Sequence, residues 1–363
     1  MAPRLSTDRW VVIREGERSR WGGDLRRRNL FSALATRTGA TVLDRWTTPS
    51  LVRAARGARW RMLLQPFLSR PRLASSEQLP EAMIAAARRY GDPVAVGIYD
   101  DSIAQLEAFG IVLEPDRLAA IRRRRELNEA MFRWHVVPTA SFAALTRLDP
   151  GRVIVGGNAT DIRHVRPGPW PSIPTIGLVS GAAPGRGIEA LVAAARLVRS
   201  SVPDVRLLLW LAATSVESRA WLDALRAEVA GEAWIEIGQA AYDDLGTELQ
   251  RATVLCIAHP AGSYMDVALP VKLFDSMAAG RPLLVTPRTE TRAIVEAHGA
   301  GIVTDGDRPE DLAEGLIGLL GDEERARRLG SAARTAAETT YDWPIVSGRI
   351  ADEVLRREGL TDR

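Results

Sequence analysis

Cysteine is nearly absent from this chain. The single residue, Cys256, excludes an intramolecular disulfide, and with four histidines in 363 residues a structural zinc site lacks ligands. Aromatic residues make up only 6% and no recognition motif accompanies them, which argues against a nucleic-acid-binding protein. No apolar run approaches the roughly 18–20 residues that span a bilayer, and Met1–Asp8 has no apolar core of secretory type. Together these absences predict a cytoplasmic protein. No G-x-x-x-x-G-K-[ST] loop occurs, and the glycines of Gly181–Gly187 do not have G-x-G-x-x-G spacing, so P-loop and dinucleotide-dependent oxidoreductase chemistry are disfavoured. What remains is the composition of an ordinary globular protein, 46% hydrophobic and 26% charged, of a length that suits two domains.

Lysine is almost as scarce. Of 48 basic residues only Lys272 is a lysine. Charge is also divided unevenly. Residues 1–165 carry a net charge of +10 and residues 166–363 a net charge of −7. The N-terminal half is therefore expected to face something anionic. Within it, Arg53–Leu73 interleaves arginines with Trp60, Met62, Leu63, Leu64, Phe67 and Leu68. The segment reads either as an amphipathic stretch lying on an anionic membrane or as a core helix with solvated arginines. Arg122–Arg125 adds to the same basic field.

The second half alternates strand and helix. Apolar runs at Pro174–Ser180, Val205–Ala213, Trp234–Gly238, Thr253–His259, Pro282–Thr286 and Gly301–Thr304 are separated by segments of helical period. Near-continuous apolar strands in such units predict a parallel sheet covered on both faces, with ligands at the carboxyl ends of its strands. The first half follows the same pattern less regularly, with strands expected at Trp10–Arg14, Ala40–Leu43, Pro93–Tyr99, Trp134–Pro138 and Arg152–Val155. Asn158–Pro174 is rich in proline and reads as a linker.

The most informative segment is His259–Pro282. A buried strand ends at His259, a loop containing Gly262 follows, and Pro270 opens a helix that Gly280 and Pro282 close. Lys272 and Asp275 lie three apart on that helix and share a face. A helix N-terminus at the carboxyl end of a parallel sheet attracts anions, an ammonium suits a diphosphate, and a carboxylate one turn on suits ribose hydroxyls. The alternative is an ordinary surface Lys–Asp pair. The chain's only lysine standing here, where arginine serves everywhere else, favours the binding role. Two other polar positions end strands. Asp100, at the end of Pro93–Tyr99, is placed to bind acceptor hydroxyls or act as a base, while its neighbour Asp101 suits a helix N-cap. His259 is placed to touch phosphate or sugar, or simply to pack.

The run LPVKLFDSMAAGRPLLVT, residues 269–286, resembles the hallmark of the retaining GT-B glycosyltransferases of the "group 1" family, in its L-P-x-K-L-F-E variant with Asp275 for the glutamate. Gly157–Asp161 resembles that family's N-G-x-D turn, Pro184–Gly187 its basic-Gly pair, and Tyr341-Asp342-Trp343 its Y-[ST]-W before a last helix. The resemblance covers about residues 150–350. It implies a GT-B fold, α/β, with two Rossmann-like doubly wound parallel-sheet domains facing a central cleft. Residues 1–165 would form the basic acceptor-binding domain, 172–341 the nucleotide-sugar-binding domain, and 342–363 a helix crossing back to the first. The implied activity is sugar transfer from a nucleotide-diphosphate sugar, as co-substrate, to a glycan, lipid-linked or small-molecule acceptor. It would proceed with retention, without a metal or other cofactor, and without nucleic acid, and Arg53–Leu73 would bring the protein peripherally to an anionic membrane.

By the same resemblance Lys272, Arg186 and the backbone of Gly22 and Gly23 would bind the donor diphosphate. Asp275 would take the ribose, and Gly238 and Gln239 would lie near the nucleobase. The family's first carboxylate position holds Val267, one residue beyond Asp266. Asp266 through a shifted loop, or the loop Ser263, Tyr264, Met265 through its backbone, would serve the donor sugar, with Asp100, His259 and Asp266 as catalytic candidates. Gly181 stands where a second phosphate-binding arginine is frequent. These two departures keep open a catalytically weakened nucleotide-sugar-binding partner protein, and a GT-B epimerase acting on the nucleotide sugar is a further alternative.

Overall fold

The computed structural model describes residues 11–13, 29–30, 32–37, 41–43, 62–64, 94–98 and, apart from 111, 113 and 147, residues 102–359. The chain divides into two compact units. One comprises Met1–Ile103, Leu113–Gly157 and Trp343–Arg363; the other comprises Ala104–Val112 and Asn158–Asp342.

In the first unit, β1 (Val11–Ile13) pairs in parallel with β2 (Thr41–Leu43). A separate four-stranded parallel sheet has the order β3-β4-β5-β6, with β3 at Met62–Leu64, β4 at Val94–Ile98, β5 at Trp134–Val137 and β6 at Val153–Val155. Strand β3 corrects the reading of Arg53–Leu73 at its centre: Met62-Leu63-Leu64 is extended and pairs with β4, where a helix or a membrane-lying amphipathic stretch was expected. Three consecutive apolar residues fit a parallel strand covered on both faces as readily as a helix turn. The rest of that segment lies outside the described residues. A helix missing from the sequence reading, Ala140–Thr146, starts where the Thr139 hydroxyl accepts from the Phe142 amide at 3.0 Å. The arginine-rich helix runs Pro115–Met131. The last helix, Trp343–Arg357, buries Trp343, Val346, Ile350 and Val354, and the Trp134 indole donates to Glu358 just beyond it at 2.7 Å.

The second unit is built on a six-stranded parallel sheet of order β12-β11-β10-β7-β8-β9. Its strands are β7 (Thr175–Gly181), β8 (Arg206–Ala212), β9 (Ile235–Gly238), β10 (Val254–Ile257), β11 (Leu283–Val285) and β12 (Gly301–Val303). Strand β8 shows why the strand sequences are apolar throughout. Leu207, Leu209 and Leu211 join one core with helices Ile188–Ser201 and Pro309–Leu320. Leu208 and Trp210 join a second core with helices Val271–Ala278 and Glu323–Thr340. Successive side chains point to opposite faces, and both faces are covered.

Sheet order reverses between β7 and β10, since β8 and β9 continue to one side and β11 and β12 to the other. In open α/β sheets ligands bind outside the carboxyl ends of the strands at such a reversal. The loops that leave β7 and β10 there are Ala182–Gly187 and Ala258–Gly262. They approach so closely that Gly187, at φ +73°, has room for no side chain. A Cβ there would fall 1.6 Å from the Ala258 carbonyl oxygen.

Candidate functional site

Three cations, one histidine and two carboxylates gather at this reversal. Lys272 sits in the first turn of helix Val271–Ala278, which Pro270 caps in extended conformation and Gly280 closes at φ +67°. Burial lowers the Lys272 ammonium to about 7, helped by Arg186 and opposed by Asp275. Arg186 precedes helix Ile188–Ser201, and burial lowers its guanidinium to about 10. Among the described residues neither cation has an ion-pair partner.

The third cation was missed by the sequence reading. Arg288 follows β11, is buried, and donates through Nη1 to Asp266 at 2.9 Å. His259 lies among all three. Burial, then Arg186, Lys272 and Arg288 in that order, push its imidazole down to about 3, so it is neutral. Its Nδ1 and the Nε atoms of Arg186 and Arg288 are buried with no hydrogen-bond partner among the described residues. Buried polar groups are nearly always paired, so this set fits a site that a polar anion completes.

Asp275 is buried one turn beyond Lys272. Its carboxylate accepts from the Thr160 hydroxyl at 2.7 Å. Burial raises it to about 6, against the opposing effects of Thr160, His164 and Lys272. Thr160 is itself fully buried, and its amide donates to Tyr341 O at 2.9 Å. This connects the two motifs at either end of the unit, residues 157–161 and 341–343, beneath the ribose candidate. Nothing in the sequence marked Thr160 apart from its place in that first motif. Asn158 beside it donates to the Leu269 carbonyl and so ties the same motif to the start of the lysine helix.

The expected loop at Ser263, Tyr264 and Met265 is a short helix, Ser263–Val267, which corrects that reading. The Asp266 and Ala268 amides donate to Gly262 O and Tyr264 O at 2.8 and 2.9 Å. Arg288 holds the helix from one side through Asp266. Met265 is buried and packs inward. Asp266 is thus engaged by one of the three cations, Arg288. Gly238 ends β9, the edge strand, and Gln239 beyond it is exposed. Asp100, Gly22 and Gly23 lie outside the described residues. Among those described, no group of three His, Cys, Asp or Glu side chains is placed to hold a metal ion, and no helix is long and apolar enough to cross a membrane.

The signature arginine of Ala278–Pro282 has a different task. Arg281 is buried, donates to Pro169 O and Gln250 O at 2.6 and 2.8 Å, and lies 5.0 Å from the Trp170 ring centroid. It fastens the proline-rich stretch to this unit.

Comparison with known proteins bears on the same unit. Residues 173–322 match the family model described as glycosyl transferases group 1. A GDP-mannose-dependent monoacylated alpha-(1-6)-phosphatidylinositol monomannoside mannosyltransferase of Corynebacterium glutamicum is 28% identical over 192 residues, 51% of this chain and 48% of that protein. The phosphatidyl-myo-inositol mannosyltransferase of Mycolicibacterium smegmatis is 28% identical over 171 residues, 46% and 41% of the two chains. The chain thus spans about half the length of the curated relatives it matches. Among solved structures, HepE of Anabaena in complex with UDP-glucose superposes with a TM-score of 0.67 at 13% identity, covering 96% of this chain and 99% of that one. Sucrose-phosphate synthase of Thermosynechococcus elongatus gives 0.63 at 14%, covering 98% and 100%. At such identities the likeness establishes the fold, which is GT-B.

Proposed function

Because the chain carries a group 1 glycosyltransferase domain over residues 173–322, we propose that it transfers a sugar from a nucleoside-diphosphate sugar to an acceptor, with retention of configuration and without a metal. The observation that carries this reading is the set of three cations, Arg186, Lys272 and Arg288, around a neutral His259 at the strand-order reversal. Departure of a nucleoside diphosphate leaves two phosphates bearing more charge than in the ground state. Preorganised cations in a poorly solvated site stabilise that charge selectively in the transition state. Among the described residues Lys272 and Arg186 have no carboxylate ion-pair partner to give up, and donor phosphates would supply the counter-charge that raises Lys272 back to a full ammonium. Asp275, fixed by Thr160, would accept from the ribose hydroxyls.

The relatives' printed names favour GDP-mannose as donor and phosphatidylinositol or its monomannoside as acceptor. The basic N-terminal half (+10 over residues 1–165) supports an anionic, lipid-linked acceptor at a membrane surface. The test is direct. Purified protein is screened by thermal shift against GDP-, UDP-, ADP- and dTDP-sugars, and the stabilising donor is incubated with phosphatidylinositol-bearing vesicles in EDTA. An α-linked product from an α-linked donor, formed in EDTA, supports the reading. A β-linked product, or dependence on divalent metal, overturns retention or metal independence respectively.

A second reading is favoured by Val267 and by the Asp266–Arg288 pair, which leaves Asp266 already engaged. In it the protein binds a nucleotide sugar tightly and does not turn it over. Stabilisation by a donor with neither transfer nor hydrolysis would favour that reading.

A further inference from the structure

The segment Ala104–Val112, far from the donor domain in sequence, belongs to the same compact unit as Arg186 and Lys272. It meets the phosphate loop in three ways. The Arg186 guanidinium carbon lies 3.8 Å from the centroid of the Phe109 ring, and Phe109 is buried. The Gln105 amide donates to the Tyr264 hydroxyl at 3.2 Å, and Tyr264 in turn interacts electrostatically with Arg186. Gly185, at φ +70°, passes so near the Ala108 carbonyl that a Cβ would fall 2.5 Å from its oxygen.

A guanidinium is a flat group with two apolar faces and five N–H donors in its plane. An aromatic ring on a face attracts the cation and occupies none of the in-plane donors. That is the state of Arg186. Its face is stacked, its Nε is buried without a partner, and among the described residues no carboxylate pairs with it. On another side the absence of a side chain at Gly181 leaves the guanidinium its space, since a Cβ there would lie 3.3 Å from the guanidinium carbon. A second arginine at position 181 would compete for this space.

We propose that Phe109 is a positioning residue for Arg186, holding the guanidinium by its face so that the in-plane donors are presented, already oriented, to the diphosphate of the nucleotide sugar. This rests on the donor-site reading above. Freezing a long, rotamer-rich side chain before binding reduces the entropy lost on binding. The role therefore predicts an effect on diphosphate affinity that is transmitted only through Arg186.

The experiment is a double-mutant cycle read by calorimetry with GDP and UDP as probes, on the full chain. Phe109→Leu and Phe109→Met remove the aromatic face and keep apolar bulk; Phe109→Tyr keeps the face. Leu and Met are expected to weaken the bound diphosphate about five- to tenfold, the size of a partly desolvated cation–π contact. Tyr should stay within about twofold of wild type. In an Arg186→Ala background Phe109→Leu should have no further effect. Two apolar variants are used so that a folding defect in one leaves the other to decide, and circular dichroism confirms each fold. Undiminished affinity in folded Leu and Met variants would overturn the proposal while leaving the donor-site reading intact. So would an equal loss with and without Arg186, which marks a merely structural role. If the wild-type protein binds neither of these probes nor ADP or dTDP, the donor-site reading fails and the positioning role with it.

Discussion

Asp275→Asn offers a quantitative test of the buried ribose candidate through stability rather than activity. Burial raises the carboxyl to about 6 from its ordinary 3.8. A carboxyl raised in the fold binds its proton more tightly folded than unfolded, so stability is fully retained below the unfolded value and is lost as pH rises through the window from about 4 to about 6. At roughly 1.4 kcal/mol per pH unit, the charged carboxylate costs the fold about 3 kcal/mol at pH 8. Asparagine presents the same acceptor to Thr160 without the charge. It also gives up the attraction to Lys272, which offsets part of the gain. The variant should therefore be more stable than wild type by about 1–3 kcal/mol at pH 8, and that advantage should shrink by about 2 kcal/mol by pH 4.5. Urea denaturation of both proteins at pH 8, 6 and 4.5 measures this difference, in which all other titrating groups cancel to first order. A pH-independent difference, or a variant less stable than wild type at pH 8, would refute the claim that Asp275 is held charged against burial. The same variant should bind nucleoside diphosphate at least about tenfold more weakly, since a hydrogen bond to a charged acceptor contributes about 1.5–3 kcal/mol.

Other expectations concern the neighbouring groups. Lys272→Ala should lower kcat/KM by about 10²–10³-fold, the scale of losing one transition-state charge stabiliser, whereas Arg328→Ala, an exposed helix pair with Glu324, should leave it unchanged; steady-state kinetics separates the two. Because the Lys272 ammonium is lowered to about 7, its charge is present below that pH and lost above it. Affinity for a nucleotide sugar, whose diphosphate does not titrate there, should weaken between pH 7 and 9, and Lys272→Arg should flatten the profile; equilibrium binding across that range is the check. Gly187→Ala should destabilise the protein by more than ~3 kcal/mol, because αL geometry alone costs a side chain about 1–2 kcal/mol and the new Cβ has no room beside Ala258 O. Chemical denaturation measures it, and a near-neutral result would mean that the two loops can separate.

Much of the donor unit could be read from its sequence because strand and helix periods there are unmixed. The apolar runs ending at Ser180 and Ala213 became β7 and β8 nearly residue for residue, the run ending at His259 holds the shorter β10, and the lysine helix began and ended at the expected proline and glycine. Charge and spacing brought Lys272, Asp275 and His259 to attention without any structure. Arg288 escaped because nothing local distinguishes it from 46 other arginines; only its burial and its place after β11 do. Thr160 and Phe109 escaped for the same kind of reason. Their partners lie 115 residues away at Asp275 and 77 residues away at Arg186, and no periodicity reports contacts that distant. The sequence of Ser263–Val267 reads as a loop because five residues are too few to show a helical stripe; in the fold this short helix is tied down by tertiary contacts, Asp266 to Arg288 and Tyr264 to Gln105.

The near-touching backbones at Gly187 and Ala258 make the turns leaving β7 and β10 a single seam, closed by a hydrogen atom where any other residue would need a methyl. A side chain at 187 could only be admitted by driving the two turns apart, so their spacing is set by that one glycine and not by the side chains around it. Variation in what the cleft beyond β7 and β10 accepts is left to the side chains that border the seam, whose backbone frame stays the same.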